Sequence, residues 1–553
     1  MSSVHPGFVY LVGAALVAVS PAWARRPLLL IVPVLALGAA VTVPEGVGGA
    51  LSLAGYELHL LRVDVWSRLF GLVFAVIGLL GTVYGLHARA RGPHVAAFAY
   101  AGCALGAVFS GDLLSLFVWW ELMAVASFFL IVGRRTEAAL AAGYRDLLVH
   151  AFGGALLLAG IIAHVLAGGE LGFGALSASA GALLILAGFA VNAAVPPLHA
   201  WLPDAYPEAP VTGAVFLSAL TTKTAVYALA RGFAGDELLV WAGAIMALYG
   251  VVFAMLQNDI RRLLSYHIVS QVGYMVCGIG IGTPLALSGA AAHAVCHILY
   301  KGLLFMGTGA VVQMTGRSRL TDLGGLARRM PWTLAFYAVG AFSISGVPLF
   351  NGFVSKSLVV AAAEREHLAI VEWLLSIAAI GTFLSVGLKL PWFTFLGEGR
   401  GAPAAEPPGN MRVAMAAAAG LCILLGVAPG LLYGLLPHPV DYAPYTWGHV
   451  LTSVQVLAGT AIGFFWLLDK LRADRTVTID TDWFYRRGGT LLMASCRAGG
   501  TAAAAAAAVV ARAGASLFER ALGEEPPTAL VGRTGPWVAA SLLLLTALVV
   551  LLA

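Results

Sequence analysis

Apolar positions along this chain neither alternate nor recur at surface-helix spacing; they run on uninterrupted. Stretches near residues 7–24, 27–44, 66–88, 96–110, 112–133, 146–167, 178–198, 210–231, 238–256, 262–282, 286–313, 333–363, 371–396, 411–435, 450–468 and 536–553 are apolar at about the length a helix needs to cross a bilayer. They predict an all-α polytopic membrane protein with about 14–16 transmembrane helices. The polar punctuation between them is one-sided. With the N-terminus outside, Arg25/Arg26, Arg89/Arg91, Arg134/Arg135/Arg145, Arg261/Arg262, Arg317/Arg319/Arg328/Arg329, Arg400/Arg412 and Lys470/Arg472/Arg475 all fall on the cytoplasmic face. The opposite loops keep little beyond Arg62, Arg68, Arg231 and Arg365. This asymmetry predicts a multi-pass protein of the inner (plasma) membrane, with the lipid bilayer as its solvent.

Two internal signals organise these spans further. His150 is followed by Ala155, Leu156, Leu157 and Gly160, and His297 at the same offsets by Gly302, Leu303, Leu304 and Gly307. Downstream of each comes a proline interruption, Pro196-Pro197-Leu198 and then Val347-Pro348-Leu349, with breaks expected near 192–203 and 343–356 around Pro197 and Pro348. Interrupted hydrophobic segments at corresponding places in two halves point to the central site of a transporter. Five helices separate the corresponding points, an odd number, so the two repeats are expected to be inverted. The expected organisation is N-terminal helices over 1–95, a first five-helix repeat over 96–231, a second over 238–396 and C-terminal core helices over 411–468. A cytoplasmic or interfacial extension over 469–535 and a final span over 536–553 complete it. The alanine run at 502–508 is either an interfacial helix or a further span within 493–515, which would reverse the C-terminus.

Composition narrows the function classes. The 553-residue chain is 60% hydrophobic and 11% charged, which excludes an ordinary soluble domain. Its net charge of +5 follows the placement of arginines about the bilayer, and no basic run interleaved with aromatics suggests nucleic acid. Ala22-Trp23-Ala24 mimics a signal-peptidase site but lacks a basic region before it and has Arg25 and Arg26 after it, so the first stretch is read as a retained span. Cys103, Cys277, Cys296, Cys422 and Cys496 form no CxxC pair, no phosphate-cradling loop is present, and no metal set forms around the histidines. Neither cofactor nor metal is expected, and the chain reads as a secondary transporter component, not an enzyme.

The chemistry is then sought among charges inside the spans. His293, His297 and Lys301 recur at i, i+4 and i+8, which stacks them on one helix face roughly 6 Å apart. An ionisable group at the bilayer centre costs on the order of 2.5–3.5 kcal/mol even on a lenient scale, so three on one face read as a proton path. Imidazole both donates and accepts and can hand a proton along such a row. Glu121 in the fifth span and Lys223 in the eighth are candidates for a carboxylate–ammonium pair, functional or structural. Lys356 lies just beyond the second break, where freed backbone groups favour a hydrated cavity. His150 and His267 are further candidates, the second feeding the row from the cytoplasmic side. Lys389 is either another member or a residue that snorkels to the cytoplasmic interface.

These residues resemble the antiporter family shared by respiratory complex I, membrane-bound hydrogenases and multisubunit Mrp-type sodium/proton antiporters, over roughly residues 60–440. The matching stretches are Leu202-Pro203-Asp204-Ala205, the run Leu264-Ser265-Tyr266-His267-Ile268-Val269-Ser270-Gln271-Val272-Gly273-Tyr274-Met275, the segment from His297 to Lys301, and Gly352-Phe353 through Lys356. Within the family, the tyrosine–histidine form of the second stretch resembles the D-type branch of the Mrp antiporters. The resemblance implies fourteen core helices and a buried chain of charges in which Glu121, Lys223, Lys301 and Lys356 take the family's positions. One position departs: Asn192 stands where the family has a lysine, and an amide takes up no proton near neutral pH. The implied function is monovalent cation/proton antiport, Na⁺ being the expected cation, in a complex with other membrane subunits. The alternatives are a pumping component of a complex I-like or hydrogenase-like machine and a non-transporting membrane scaffold.

Overall fold

Helix starts in this protein are written in short polar residues placed just ahead of apolar runs. Asp64, Asp112, Thr136, Ser179, Asp236, Asp259, Thr283 and Thr446 each accept a backbone N–H of the first helical turn, which satisfies donors that a helix end leaves open. The computed structural model describes residues 5–53, 55–472, 480–483, 487–488, 491 and 494–495. One compact unit comprises Met1–Thr481 and a second Asp482–Ala553. The expected span at 536–553 and the alanine run at 502–508 lie outside the described residues.

The first unit begins with α1 (Pro6–Val19) and α2 (Ala22–Thr42), followed by a two-stranded antiparallel hairpin, β1 (Gly46–Leu53) and β2 (Tyr56–Val63). Helices α3 (Val65–Gly85), α4 (Arg91–Val108), α5 (Leu113–Val132) and α6 (Glu137–Leu166) come next. After them α7 (Ala180–Asn192) stops at the first break, and the chain resumes as α8 (Trp201–Ala205). The eighth expected span is α9 (Val211–Ala219) and α10 (Thr221–Gly232), interrupted at Leu220. The second set runs α11 (Glu237–Met255), α12 (Ile260–Ile281), α13 (Pro284–Thr315), α14 (Pro331–Ser345), a break, α15 (Asn351–Arg365) and α16 (Ala369–Thr382). Two π-helical segments, Phe383–Lys389 and Trp392–Leu396, extend α16. Then come α17 (Gly409–Val427), the short α18 (Gly430–Tyr433) and α19 (Trp447–Trp466).

Each span expected up to residue 468 coincides with a helix or a broken pair. Among the described residues, eleven helices are long and apolar enough to cross a membrane. Sets α4–α10 and α11–α16 share one order of elements: three helices, a broken helix, then a helix with a local irregularity.

The hairpin is the element that hydropathy did not predict. Its strands dock on the turn between α4 and α5, where Gly111 N–H donates to the His59 carbonyl at 2.9 Å and Asp112 accepts the His59 N–H at 2.8 Å. Residues 46–63 carry too few consecutive apolar residues to span a membrane and too little strict alternation to declare a strand.

Burial grades inward. α13 is buried over almost its whole length, with α10 and α12 against it, whereas α19 leaves most of its apolar surface exposed, as lipid allows. The axis of the molecule is therefore the helix that carries His293, His297 and Lys301.

Candidate functional site

On α13 the three expected residues are fully buried. The His293 and His297 ring centroids are 6.2 Å apart, and Tyr300 packs edge-on to His297 at 5.2 Å. His293 Nδ1 lies 3.1 Å from Ser355 Oγ on α15, and its Nε2 lies 3.4 Å from the Tyr300 hydroxyl. That hydroxyl also reaches Gln271 Oε1 of α12 at 3.4 Å, and Gln271 Nε2 reaches Thr382 Oγ1 at 3.4 Å. One turn away on both partner helices, His267 Nε2 and Ser385 Oγ are 2.7 Å apart. Ser385 sits in the first π-helical segment, a local widening that often marks functional places. Polar side chains thus run across α12, α13, α15 and α16 through a core that is otherwise apolar.

Beside this row, both His297 nitrogens and Lys301 Nζ are buried without a hydrogen-bond partner among the described residues. Polar atoms at such depth are costly unless a partner or water reaches them.

Lys356 closes the row on the far side. Its Nζ donates to the Ile344 carbonyl at 2.6 Å, one of the groups freed where α14 ends, and lies 5.2 Å from the Tyr274 ring centroid. A cavity of about 550 Å³ opens from Lys356, with Glu364, Glu372 and His449 also lining it. The broken helix closes tightly there because Gly352 carries no side chain: a Cβ would collide with the Ser343 carbonyl. The sequence stretch Gly352-Phe353 through Lys356 therefore has a steric reason as well as a charge.

The first set of helices is arranged differently. Glu121 on α5 is half-buried, its Oε1 has no partner among the described residues, and it packs against Gly154 of α6. One turn earlier on α6, His150 contacts the Asp146 carbonyl at 2.8 Å and lies 3.6 Å from the Asp146 carboxylate, which accepts from Ser127 at 3.1 Å. Lys223 donates to the Ser218 carbonyl at 2.9 Å and to Thr222 Oγ1 at 3.0 Å, using the carbonyl exposed by the irregularity at Leu220. The expected Glu121–Lys223 ion pair is absent among the described residues. The ammonium finds its acceptors within its own broken helix, where no long side chain need be ordered. Its helix, α10, packs against α13, which carries His293, His297 and Lys301.

Asn192 ends α7 fully buried, its amide without a partner among the described residues, and a cis peptide joins Pro196 to Pro197 just beyond it. Lys389 is enclosed by protein. It is 3% exposed, and its Nζ donates to the Met255 carbonyl at 2.5 Å and, more distantly, to that of Gln257. A cation there meets the negative end of α11, which holds it inside.

Several polar neighbours escaped sequence reasoning. Asp146 sits four residues before His150, a helical spacing that could have paired them. Gln271 and Tyr300 lie in stretches that carry the family resemblance, though no role is read for them; Ser385 and His199 gave no such signal beyond polarity inside a span. The stretch Leu202-Pro203-Asp204-Ala205 proves to be an anchor: Arg145 grips Asp204 with two hydrogen bonds of 2.6 and 3.1 Å, and Arg262 donates to the Pro203 carbonyl at 3.1 Å.

The chain matches the family model described as NADH:quinone oxidoreductase/Mrp antiporter, transmembrane, over residues 110–385. It is 34% identical over 315 residues to the D component of a Na(+)/H(+) antiporter of Alkalihalophilus pseudofirmus, covering 53% of this chain and 63% of that protein. The aligned stretch thus spans less than two thirds of that relative. It is 33% identical over 435 residues to an uncharacterized protein of Mycobacterium tuberculosis, covering 70% of this chain and 67% of the other. Among solved structures it resembles a chain of the Mrp complex from Dietzia sp. DQ12-45-1b, with a TM-score of 0.71, 24% identity and coverage of 85% of this chain and 99% of that one.

Proposed function

Because the chain belongs to the NADH:quinone oxidoreductase/Mrp antiporter transmembrane family, we propose that it is a proton-conducting subunit of a multisubunit monovalent cation/proton antiporter of the plasma membrane, with Na⁺ as the cation. The relative named as the D component of such an antiporter supports that branch. The observation that carries the reading is the polar row from Gln271 through Tyr300 and His293 to Ser355, beside Lys356 and its cavity.

A proton enters from the arginine-rich face at His267 and Ser385. It passes the Gln271 and Tyr300 contacts to His293, whose two nitrogens face opposite partners, so accepting on one side and releasing on the other moves the charge forward. From Ser355 it reaches Lys356 and leaves through the cavity lined by Glu364 and Glu372. Glu121, His150 and Lys223 load the first half, and because α10 packs against α13, like charges on Lys223 and Lys301 couple the halves. The cation travels with the help of partner subunits. No step makes or breaks a covalent bond to substrate, so the chain acts as a transporter component and not as a catalyst.

The test is proton flux driven by a cation gradient in everted vesicles carrying the whole operon. Replacing Lys301 and Lys356 together by alanine is expected to lower flux by at least about 100-fold, the scale for loss of a proton-transferring group, while the complex still assembles. Undiminished flux would show that ions pass through another component of the complex. Flux driven only by a redox donor would favour the redox-pump reading that the family description also includes.

A further inference from the structure

Asp480 lies far along the chain from every group in the row, yet it is 7% exposed. Its carboxylate is held by residues of both helix sets. His199, directly after the Pro196-Pro197-Leu198 break, is fully buried and brings its Nε2 to 3.1 Å from Asp480 Oδ2. The Tyr266 hydroxyl of α12 donates to the same oxygen at 2.5 Å. The Tyr249 hydroxyl of α11 and the backbone N–H of Thr481 donate to Oδ1. Next door, Thr481 Oγ1 donates to the Pro197 carbonyl at 3.2 Å, which ties the segment to the break itself.

Three donors, two tyrosine hydroxyls and a backbone N–H, reach the two oxygens, and His199 Nε2 takes the remaining place at Oδ2, an arrangement that suits an ionised carboxylate. Burial by itself pushes the Asp480 carboxyl up, but the hydrogen bond and charge of His199 and the two tyrosine hydroxyls outweigh it and hold the group well below the usual carboxylate range. Asp480 is therefore a fixed anion. The described groups that face it are His199 from the break, Tyr249 from α11 and Tyr266 from α12. Of these, only the imidazole carries both a donor and an acceptor nitrogen. Its Nδ1 has no partner among the described residues. On the same broken helix, Asn192 cannot take up a proton and Asp204 is held by Arg145.

Resting on the antiport reading above, we propose that His199 is a proton-loading site of the first half-channel on the arginine-rich face, and that Asp480, delivered by the C-terminal segment, is its positioning residue and counter-charge. Asp480 holds Nε2 as the donating nitrogen, which leaves Nδ1 to accept the incoming proton. Protonation then creates an imidazolium beside a fixed anion, and the proton departs from Nδ1 toward the interior. No bond other than N–H is made or broken. Because Tyr249 and Tyr266 share the same carboxylate, the loading site of one repeat is mechanically tied to the helix that carries His267 in the other.

The experiment compares native complex with Asp480→Asn, Asp480→Glu and Tyr266→Phe in everted vesicles carrying the whole operon, reading cation-driven proton flux against pH and complex assembly on native gels. Asp480→Asn removes the counter-charge, so flux that needs a positive ring at His199 should fade at lower pH. The alkaline limb is expected to move down by about one pH unit, roughly a tenfold loss on that limb, with assembly intact. Asp480→Glu should restore the limb. Tyr266→Phe withdraws one donor from the carboxylate and should move the limb the other way; it carries the test if the asparagine variant does not assemble. Unmoved limbs in both variants, or equal loss in the asparagine and glutamate variants without a change of profile, would reduce Asp480 to a structural latch and overturn the proposal. Lys356→Ala is run alongside. If it abolishes flux while the Asp480 variants behave as native, only this inference falls; if it too is silent, the antiport reading falls first.

Discussion

The two helix sets answer the same problem, polar groups at membrane depth, in different ways. In the second, His293 bonds on both faces and the contacts continue through Tyr300 to Gln271 and through Ser355 toward Lys356. In the first, the groups are islands: Glu121 against Gly154, His150 with Asp146, Lys223 with its own helix, and Asn192 with no partner among the described residues. A neutral amide at the break leaves His199 and the Arg145-bound Asp204 as the titrating groups described around the first break. The comparison teaches that similar element order does not impose similar wiring: proton conduction needs contiguous hydrogen-bonding partners, and these depend on which side chains meet across helices.

Breaking the continuous row should have the largest effect. Tyr300→Phe keeps the ring packed against His297 but deletes the hydroxyl that bridges Gln271 and His293, and flux is expected to fall by about tenfold or more, toward the range for a lost proton-transfer group. Unchanged flux with normal assembly would mean that the second set is no more connected than the first. Gly154→Ala probes the islands. The added methyl meets the movable end of Glu121 and not backbone, so assembly should survive while the carboxylate is displaced, with flux reduced several-fold, a change of roughly 1 kcal/mol. The smallest effect is expected from Asn192→Lys, which restores a titrating group at the first break. Flux in the same vesicle assay should be preserved or raised up to about twofold, and a collapse would show that the amide itself is required.

Much of this protein could be read without coordinates. Runs of apolar residues determined the spans because a bilayer leaves the backbone few options but the helix. Pro197 and Pro348 marked the breaks because proline lacks the N–H that a helix interior requires. The row on α13 followed from a spacing of four, since helical geometry is local. What lay beyond reach was decided by approach between distant segments. The hairpin at 46–63 is held by backbone bonds to residues 109–111, and no local pattern encodes that docking. Lys389 reads from sequence as either a member of the proton path or a snorkelling residue; the carbonyls it meets are supplied by the packing of α11 beside it. Glu121 and Lys223 look like partners when only their charges are weighed, yet each is satisfied or stranded according to which backbone groups come near. Asp480 lies in a segment whose sequence suggested only an extension, and its meeting with His199, Tyr249 and Tyr266 joins residues more than 200 positions apart. Charge, apolar length and proline are properties of the chain itself; hydrogen-bond partnership is a property of distance in space, which only the folded arrangement provides.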